Sequence, residues 1–459
     1  MKTQSKTKQI SGHGTVSVVT LGCEKNTVDS EVIGGMLSRR GVNLEENAER
    51  AETVIINTCG FIDHAKKESI SAILEAVELK KQGIIKQVFV AGCLSERYRS
   101  ELEAEMPEVD RFFGTQDFER ILTSIVGDGA VVPNAPVDLK HNLLGERQQL
   151  TPKHFAYLKI SEGCDHPCSF CAIPIMRGGH RSRGIEELEF EAMMLASNGV
   201  KELVLIAQDS TNYGLDLYNE RSVAKLLTRL ARVQGIEWIR LMYAYPAKFP
   251  LDLLDVMASE EKVIPYLDIP VQHASTEVLK SMRRGITRRA TEELIATIRD
   301  RVPNIALRTT LITGYPAEGD REFEELEEFV EQMQFDHLGV FTYSQEDGTT
   351  AHPLGDPIPT SEKLHRQQRL YDIQAEISLN KNLLKVGSDE TILIERKRIA
   401  DDAGSQEEDS DAYYGRTSSH APEVDGEVLV SSKKELGIGE FVQARIIAVR
   451  DHELQAEIV

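Results

Sequence analysis

The sequence contains no long apolar run and only one tryptophan, Trp238, among its 459 residues. No stretch approaches the roughly 18 uncharged apolar residues of a membrane-spanning helix, so the chain is not expected to cross a bilayer. Residues 1–14 are polar and basic without an apolar core, so they are interpreted as neither a signal peptide nor an anchor. These absences predict a cytosolic protein. Trp238 begins a predicted strand and is expected to lie in a core.

The chain has fewer basic than acidic residues, and it has few cysteines. The chain has 53 Lys and Arg against 74 Asp and Glu, which gives a formal net charge of -21. This balance argues against a protein that coats nucleic acid, because phosphate binding requires a basic surface. The 6 cysteines are too few for a disulfide framework in a chain of this length. If they have a function, metal binding or catalysis is expected.

Three of these cysteines each end a short apolar segment rich in β-branched residues. They are Cys23, Cys59 and Cys93, and TVIINTC at 53–59 shows the pattern. Helical patterns separate the segments, which indicates βαβ units and a parallel sheet. The three thiols are therefore expected at one carboxyl edge of the sheet, where open α/β sheets bind ligands. The alternative is three buried thiols in a hydrophobic core.

Six further strand patterns, separated by helical patterns, lie within residues 155–344. They predict an open six-unit barrel, with chemistry at the carboxyl ends of its strands. Residues 126–150 have the composition of a linker, and residues 360–387 are predicted to be helical. From about residue 390 an alternating pattern predicts a small antiparallel barrel. The fold class is therefore α/β, with a parallel amino-terminal domain, a partial barrel and a small β-barrel.

Directly after the first strand of the partial barrel comes SEGCDHPCSFCAIPIMRGG, residues 161–179. Its spacing, C-x3-C-x2-C, places Cys164, Cys168 and Cys171 on one loop. Three thiolates can bind three corners of an iron–sulfur cube and leave the fourth iron open. The alternative is a structural zinc site, which would normally need a fourth ligand nearby, and His166 is the candidate for it.

With Phe170 before its last cysteine, this loop resembles the radical S-adenosylmethionine (SAM) superfamily. A three-cysteine domain before the barrel and a small β-barrel after it resemble the methylthiotransferases of that superfamily. LGCEKNTVDSE (21–31), LIAQDSTNYG (205–214) and PYLDIPVQHAS (265–275) are similar to the branch that modifies an aspartate of ribosomal protein S-twelve. TGYPAEG (313–319) differs from the commoner GFPGET, and Glu24 stands where this branch often has proline.

The resemblance implies two four-iron clusters and SAM as cofactors, with all six cysteines as catalytic metal ligands. An auxiliary cluster would be held by Cys23, Cys59 and Cys93. The radical SAM cluster would be held by Cys164, Cys168 and Cys171. Phe170, Gln208 and Asp209 are expected to contact SAM. The implied reaction inserts a methylthio group at the aspartate β-carbon, with two SAM molecules per turnover.

The resemblance also implies domains and partners. A methylthiotransferase domain is expected at 13–130, a radical SAM core at 150–380 and a TRAM-like β-barrel for substrate recognition at 382–457. The expected partners are ribosomal protein S-twelve, an electron donor such as flavodoxin or ferredoxin, and a sulfur source, with no membrane involved.

The charge of the last segment bears on the choice of substrate. The alternative function is methylthiolation of a tRNA adenosine, for which this barrel should be basic. Residues 388–459 instead contain 17 acidic and 8 basic residues, a net charge of -9. This favours a basic ribosomal protein as the partner. A purely structural iron–sulfur or zinc scaffold fits less well, because both triads leave a coordination position open.

The sequence also contains two groups of closely spaced basic residues. The first follows the radical SAM loop and is interpreted either as a carboxylate-binding group or as a solvated face: Arg177, His180, Arg181 and Arg183. The second is interpreted as a helix surface: Arg283, Arg284, Arg288 and Arg289.

Overall fold

The computed structural model describes residues 14–127, 147–398, 411–450 and 453–459. Most of the predicted linker, residues 128–146, lies outside the described residues, as does the amino-terminal segment 1–13. The chain divides into two compact units. The first comprises Met1–Leu150 with Ile175–Arg177, and the second comprises Thr151–Pro174 with Gly178–Val459.

The first unit contains a parallel five-stranded sheet in the order β2-β1-β3-β4-β5. Its strands are β1 (Thr15–Thr20), β2 (Asn43–Leu44), β3 (Thr53–Thr58), β4 (Gln87–Gly92) and β5 (Arg111–Phe112). Its helices are α1 (Glu24–Arg39), α2 (Asp63–Lys81), α3 (Cys93–Glu105) and α4 (Phe118–Val126).

The central position of β3 in the sheet explains why the sequence of this strand is almost continuously apolar. Val54 and Ile56 pack into one hydrophobic core, and Ile55 packs into the core on the other face of the sheet. All six residues of β3 are buried. A parallel strand covered on both faces needs apolar side chains at successive positions. The predicted parallel α/β domain is confirmed.

The second unit contains a parallel six-stranded sheet in the order β13-β12-β11-β10-β9-β6. Its strands are β6 (Phe155–Lys159), β9 (Glu202–Ile206), β10 (Trp238–Leu241), β11 (Val263–Asp268), β12 (Ala306–Thr313) and β13 (His337–Thr342). A separate short hairpin consists of β7 (Ser161–Glu162) and β8 (Arg181–Ser182). The predicted open six-unit barrel is confirmed.

Helices alternate with these strands along the chain. They are α5 (Ile173–Arg177), α6 (Ile185–Ser197), α7 (Leu215–Tyr218), α8 (Val223–Leu230), α9 (Asp252–Ser259), α10 (Thr276–Ser281), α11 (Arg288–Arg301), α12 (Asp320–Met333) and α13 (Thr360–Lys385). Leu203 and Leu205 of β9 join a core that the sheet shares with α6, α8, α9, α11, α12 and α13. Successive strand residues point to opposite faces, so the neighbouring Glu202 faces away from the helices.

The second unit also contains a closed five-stranded barrel in the order β14-β15-β16-β18-β17. Its strands are β14 (Asp389–Lys397), β15 (Asp411–Thr417), β16 (Val428–Ser432), β17 (Phe441–Arg450) and β18 (Glu453–Ile458). Four of its five pairings are antiparallel, and β16 pairs with β18 in parallel. The predicted small β-barrel is confirmed. Its segment 399–410 lies outside the described residues.

A buried network of ion pairs joins this barrel to the six-stranded sheet. Glu202 accepts hydrogen bonds from Arg240 at 2.8 Å and from Arg416 at 2.7 Å, and all three side chains are at most 1% exposed. Arg416 also pairs with Glu395 at 2.8 Å. Burial opposes the ionisation of Glu395, but a hydrogen bond from His154 and the charge of Arg416 hold the pKa of Glu395 at about 2.

Trp238 lies beside this network. Its ring meets Phe441 of β17 edge-on, with 4.8 Å between the ring centroids, and the tryptophan is 8% exposed. The expectation that Trp238 lies in a core is confirmed. Because it is the one tryptophan of the chain, its fluorescence reports on the contact between sheet and barrel.

Across the described ranges, no helix combines the length and the apolar character needed to cross a membrane.

Glu202→Gln should lower the free energy of unfolding of the second unit by about 3–5 kcal/mol, because it leaves buried arginines without their shared counter-charge. Urea denaturation followed by Trp238 fluorescence measures the loss. The control is Glu427→Gln, which removes the partner of the half-exposed Arg396 and should cost less than about 1 kcal/mol. Equal losses in the two variants would show that the buried network does not stabilise this unit.

Candidate functional site

In the first unit, the ends of three neighbouring strands carry the first cysteine triad. Cys59 follows β3 directly, Cys93 is the first residue of α3, and Cys23 is the residue before α1. Cys59 and Cys93 are buried, and Cys23 is exposed. Two of the three thiols thus lie at helix amino termini, where unpaired N–H groups and the helix dipole stabilise negative charge. These helix ends offset part of the cost of placing negatively charged metal ligands in a buried site.

One buried asparagine connects the loops that carry these cysteines. Asn26 Nδ2 donates to the carbonyl of Leu21 at 2.7 Å and to that of Thr58 at 3.1 Å, next to Cys23 and Cys59 respectively. Asn26 Oδ1 lies 4.0 Å from Cys93 Sγ. The side chain therefore fixes the spacing of the three loops. Sequence inspection alone did not identify Asn26, because these contacts span up to 67 residues.

Gly22 allows the first two of these loops to approach closely. Its φ is +91°, and a Cβ atom there would lie 2.5 Å from Cys59 Cβ and 2.9 Å from Cys59 Sγ. Any larger residue would have to displace the Cys59 side chain. A glycine before Cys23 is thus part of the geometry of the triad.

Burial determines the protonation of these thiols. Burial, aided by the charge of Cys23, raises the pKa of Cys59 to about 12, and burial also raises the pKa of Cys93. The metal-free thiols of Cys59 and Cys93 are therefore protonated at neutral pH, and metal binding must release their protons.

The second unit carries the second triad, on the loop between β7 and α5. Arg284 Nη1 donates to Cys168 Sγ at 3.3 Å, and its guanidinium lies 4.2 Å from the centroid of the Tyr245 ring. Burial raises the pKa values of Cys164 and Cys171 to about 12. The charge of Arg284 opposes this effect at Cys171. Arg284 thus supplies positive charge beside the triad.

The expectation that Arg284 lies on a helix surface was wrong. Helix α10 ends at Ser281, and the chain turns through Arg283 at φ +56° and Gly285 at φ +66°, so Arg284 points inward and is 5% exposed. By contrast, Arg289 on α11 is exposed and pairs with Glu293, as expected.

His166 is held in place within the cysteine loop. Its Nε2 lies 2.6 Å from Asp209 Oδ2 and 3.3 Å from Asn212 Nδ2, and its ring stacks on Tyr245 with a centroid separation of 3.6 Å. These contacts already occupy Nε2. The ring therefore braces the loop against the carboxyl ends of the neighbouring strands.

Ser169, between Cys168 and Phe170, is also fixed from several sides. Its Oγ donates to the carbonyl of Ser281 at 2.9 Å and lies 2.9 Å from the hydroxyl of Tyr315. Tyr315 is fully buried and stands where the commoner GFPGET segment has phenylalanine. Its hydroxyl therefore ties the loop after β12 to the cysteine loop.

The three residues predicted to contact SAM all lie near the second triad or on the adjacent strand end. Phe170 is half-buried and packs against the buried cluster that contains Met282 and Tyr315. Gln208 Nε2 donates to Glu162 at 2.7 Å, and Gln208 Oε1 is buried without a hydrogen-bond partner in the structure. Asp209 binds His166 and Thr211. Their contact with SAM stays a prediction.

The basic residues that follow the second cysteine triad lie in different environments. Arg177 is buried and pairs with Asp29 at 2.8 Å. Arg183 is buried and pairs with Glu187 and Glu191. A solvated face is therefore wrong for these two, whereas Arg181 is exposed.

The donor sets fit iron–sulfur cubes better than zinc. All six cysteines are free, and among the described residues no three His, Cys, Asp or Glu side chains form a set suited to one metal ion. A zinc ion with bonds of about 2.3 Å would hold its sulfur ligands about 4 Å apart. A cube bound at three corners takes three thiol ligands, and each triad offers three.

Three family models match the chain in succession. Residues 15–114 match an uncharacterised protein family, UPF0004, residues 158–330 match the radical SAM superfamily, and residues 386–459 match the TRAM domain. The fold and the C-x3-C-x2-C loop thus define a radical SAM protein, a class that implies SAM and a four-iron cluster.

Curated relatives narrow this class to one family. The ribosomal protein uS12 methylthiotransferase RimO of Chloroherpeton thalassium is 50% identical over 96% of this chain and 98% of that protein. The RimO proteins of Flavobacterium johnsoniae and Aquifex aeolicus are 49% and 46% identical over 96% of this chain, and 97% and 96% of those proteins are covered. The chain belongs to the RimO family of methylthiotransferases, which confirms the resemblance predicted from its motifs. The tRNA-modifying alternative is not favoured.

Solved structures share the fold. The radical SAM methyltransferase TsrM from Kitasatospora setae, with cobalamin and a four-iron cluster bound, matches with a TM-score of 0.57 over 74% of this chain and 77% of that one. The cobalamin-dependent radical SAM enzyme OxsB matches with a TM-score of 0.51 over 78% of this chain and 56% of that one. Both are 13% identical to this chain, so the likeness concerns the fold alone.

Tyr315→Phe should speed the loss of iron, to a chelator, from a cluster reconstituted on the second triad, because it frees the Ser169 loop at a cost of about 1 kcal/mol. Iron release is followed by absorbance after anaerobic reconstitution. The control is Tyr371→Phe, which removes a hydroxyl bonded to Val340 in the same unit. Equal release rates in the two variants would contradict a role of Tyr315 in holding the loop.

Proposed function

We propose that this chain inserts a methylthio group at the β-carbon of an aspartate in ribosomal protein uS12, with two four-iron clusters and two SAM molecules per turnover. The observation that carries the proposal is the pair of cysteine triads, each made of three free thiols. Among the residues that the structure describes, neither triad belongs to a set suited to one metal ion. The names of the RimO relatives support uS12 as the substrate.

Each triad would hold one cluster. Cys164, Cys168 and Cys171 would bind the radical SAM cluster, and Cys23, Cys59 and Cys93 the auxiliary cluster. When bound, SAM and the radical SAM cluster would supply one-electron hydrogen abstraction, and the auxiliary cluster would hold the sulfur, brought by a separate source, that is transferred. A radical is needed because the hydrogens on an aspartate β-carbon are not acidic enough for a general base to remove.

The residues around the triads have distinct tasks in this proposal. Asn26 sets the spacing of the loops around the auxiliary cluster, and Gly22 allows close approach of Cys59. His166 and Ser169 hold the radical SAM loop, while Arg284 offsets the negative charge that thiolates bring to a buried site. Phe170, Gln208 and Asp209 are the proposed SAM contacts.

The acidic carboxyl-terminal barrel is the proposed docking element for uS12. Its net charge of -9 over residues 388–459 suits a basic partner, since complementary charge speeds encounter. The reaction would take place in the cytoplasm, with an electron donor such as flavodoxin or ferredoxin and a separate sulfur source.

Cys59→Ala should abolish methylthio transfer but leave SAM cleavage intact, because it removes a ligand of the auxiliary cluster only. Iron should fall from about eight atoms per chain to about four. Cys171→Ala is the matched control and should lose SAM cleavage as well as transfer. About four irons in the wild-type chain, or loss of both activities in Cys59→Ala, would overturn this assignment of the two triads.

The substrate is tested by incubating the reconstituted chain, SAM and a reductant with purified uS12 and, in parallel, with unmodified tRNA. Mass spectrometry should find the methylthio group on one aspartate of uS12 and none on tRNA, because the acidic barrel repels phosphate. Both substrates are assayed with the Cys59→Ala chain to exclude modification independent of the auxiliary cluster. A methylthio group on tRNA instead would establish the alternative function.

A further inference from the structure

Arg177 belongs to the same compact unit as the first triad, although it lies six positions after Cys171 in the sequence. Its side chain is 5% exposed. Nη1 donates to Asp29 at 2.8 Å, and Nη2 donates to Asn26 Oδ1 at 2.5 Å. Hydrogen bonds from both terminal nitrogens hold the guanidinium in one orientation.

This guanidinium lies against the first triad. The Asn26 oxygen that accepts its hydrogen bond is the one 4.0 Å from Cys93 Sγ. Asp29 binds the other terminal nitrogen, Nη1, so Nη2 is the nitrogen bound to the oxygen beside Cys93. Asn26 and Cys93 are both buried, so solvent screens the charge of Arg177 poorly at this position.

The second triad has a comparable neighbour. Arg284 Nη1 donates to Cys168 Sγ at 3.3 Å and is also buried. Each triad is thus accompanied by one buried arginine. Arg284 donates to a cysteine sulfur directly, and Arg177 donates to the asparagine oxygen beside one.

We propose that Arg177 is a positioning residue of the auxiliary cluster, and that its buried charge beside Cys93 raises the reduction potential of that cluster. The inference rests on the proposed function, since it requires a cluster on Cys23, Cys59 and Cys93. The potential of an iron–sulfur cluster depends on nearby charge and on hydrogen bonds to its sulfurs. Reduction adds negative charge, which a fixed cation stabilises in a poorly screened interior.

The test uses the full chain with Cys164, Cys168 and Cys171 replaced by alanine, so that only the auxiliary cluster is bound. Redox titration followed by electron paramagnetic resonance gives its midpoint potential. This chain with the three alanine substitutions is the parent. Arg177→Gln should shift its midpoint potential to more negative values, and Arg177→Lys should keep the midpoint near that of the parent. The control is Arg120→Gln, which removes an exposed arginine of the same unit that pairs with Asp117, and it should cause no shift.

Arg177→Gln leaves Asp29 buried without its partner and so threatens folding. The double variant Arg177→Gln/Asp29→Asn restores a neutral hydrogen-bonded pair and should still shift the midpoint to negative values. An unchanged midpoint in this variant, with about four irons bound, would overturn the inference while leaving the proposed function intact. If the parent binds no iron, the assignment of an auxiliary cluster to the first triad is wrong, and the inference fails with it.

Discussion

The first cysteine triad depends on three parallel strands that end at nearly the same height in their sheet. In the register of the sheet, Thr20 of β1 is opposite Asn57 of β3, and Thr58 of β3 is opposite Gly92 of β4. The strands therefore end at nearly the same height, and the residues that follow them emerge along one edge. A shift of one position in one strand would turn its buried side chains to the opposite face and withdraw its thiol from the edge.

The same constraint explains why the surroundings of the thiols are polar as well as buried. Strand ends leave backbone carbonyls unpaired, and in a buried region solvent cannot satisfy them. Asn26 satisfies two such carbonyls with a single amide group. A buried hydrogen-bonding side chain thus meets the needs of the backbone and orients the loops that carry the cysteines.

Much of this organisation is predictable from the sequence, because its signals are local. The runs before Cys59 and Cys93 have the composition of strands that are covered on both faces, and the C-x3-C-x2-C spacing lies within one loop.

Other features leave no such signal. The strands β2, β5, β7 and β8 each have only two residues, too few to show a periodic pattern. Long-range partners leave no local signal either, as Tyr315 and Ser169 are 146 residues apart. At Arg284 the local pattern misleads: neighbouring arginines indicate an exposed helix, whereas the left-handed residues Arg283 and Gly285 turn the chain after that helix and direct the Arg284 side chain inward.

The link between Glu202 and Arg416 has a consequence for protein engineering. These residues lie 214 positions apart in the chain, yet they form one buried charge pair between the sheet and the carboxyl-terminal barrel. A TRAM barrel grafted from a distant homologue without an arginine at this place would leave Glu202 and Arg240 mismatched in the interior. The two modules are thus not interchangeable parts. A chimera of the barrel should be built by exchanging its exposed loops while Arg416 and its surroundings are kept.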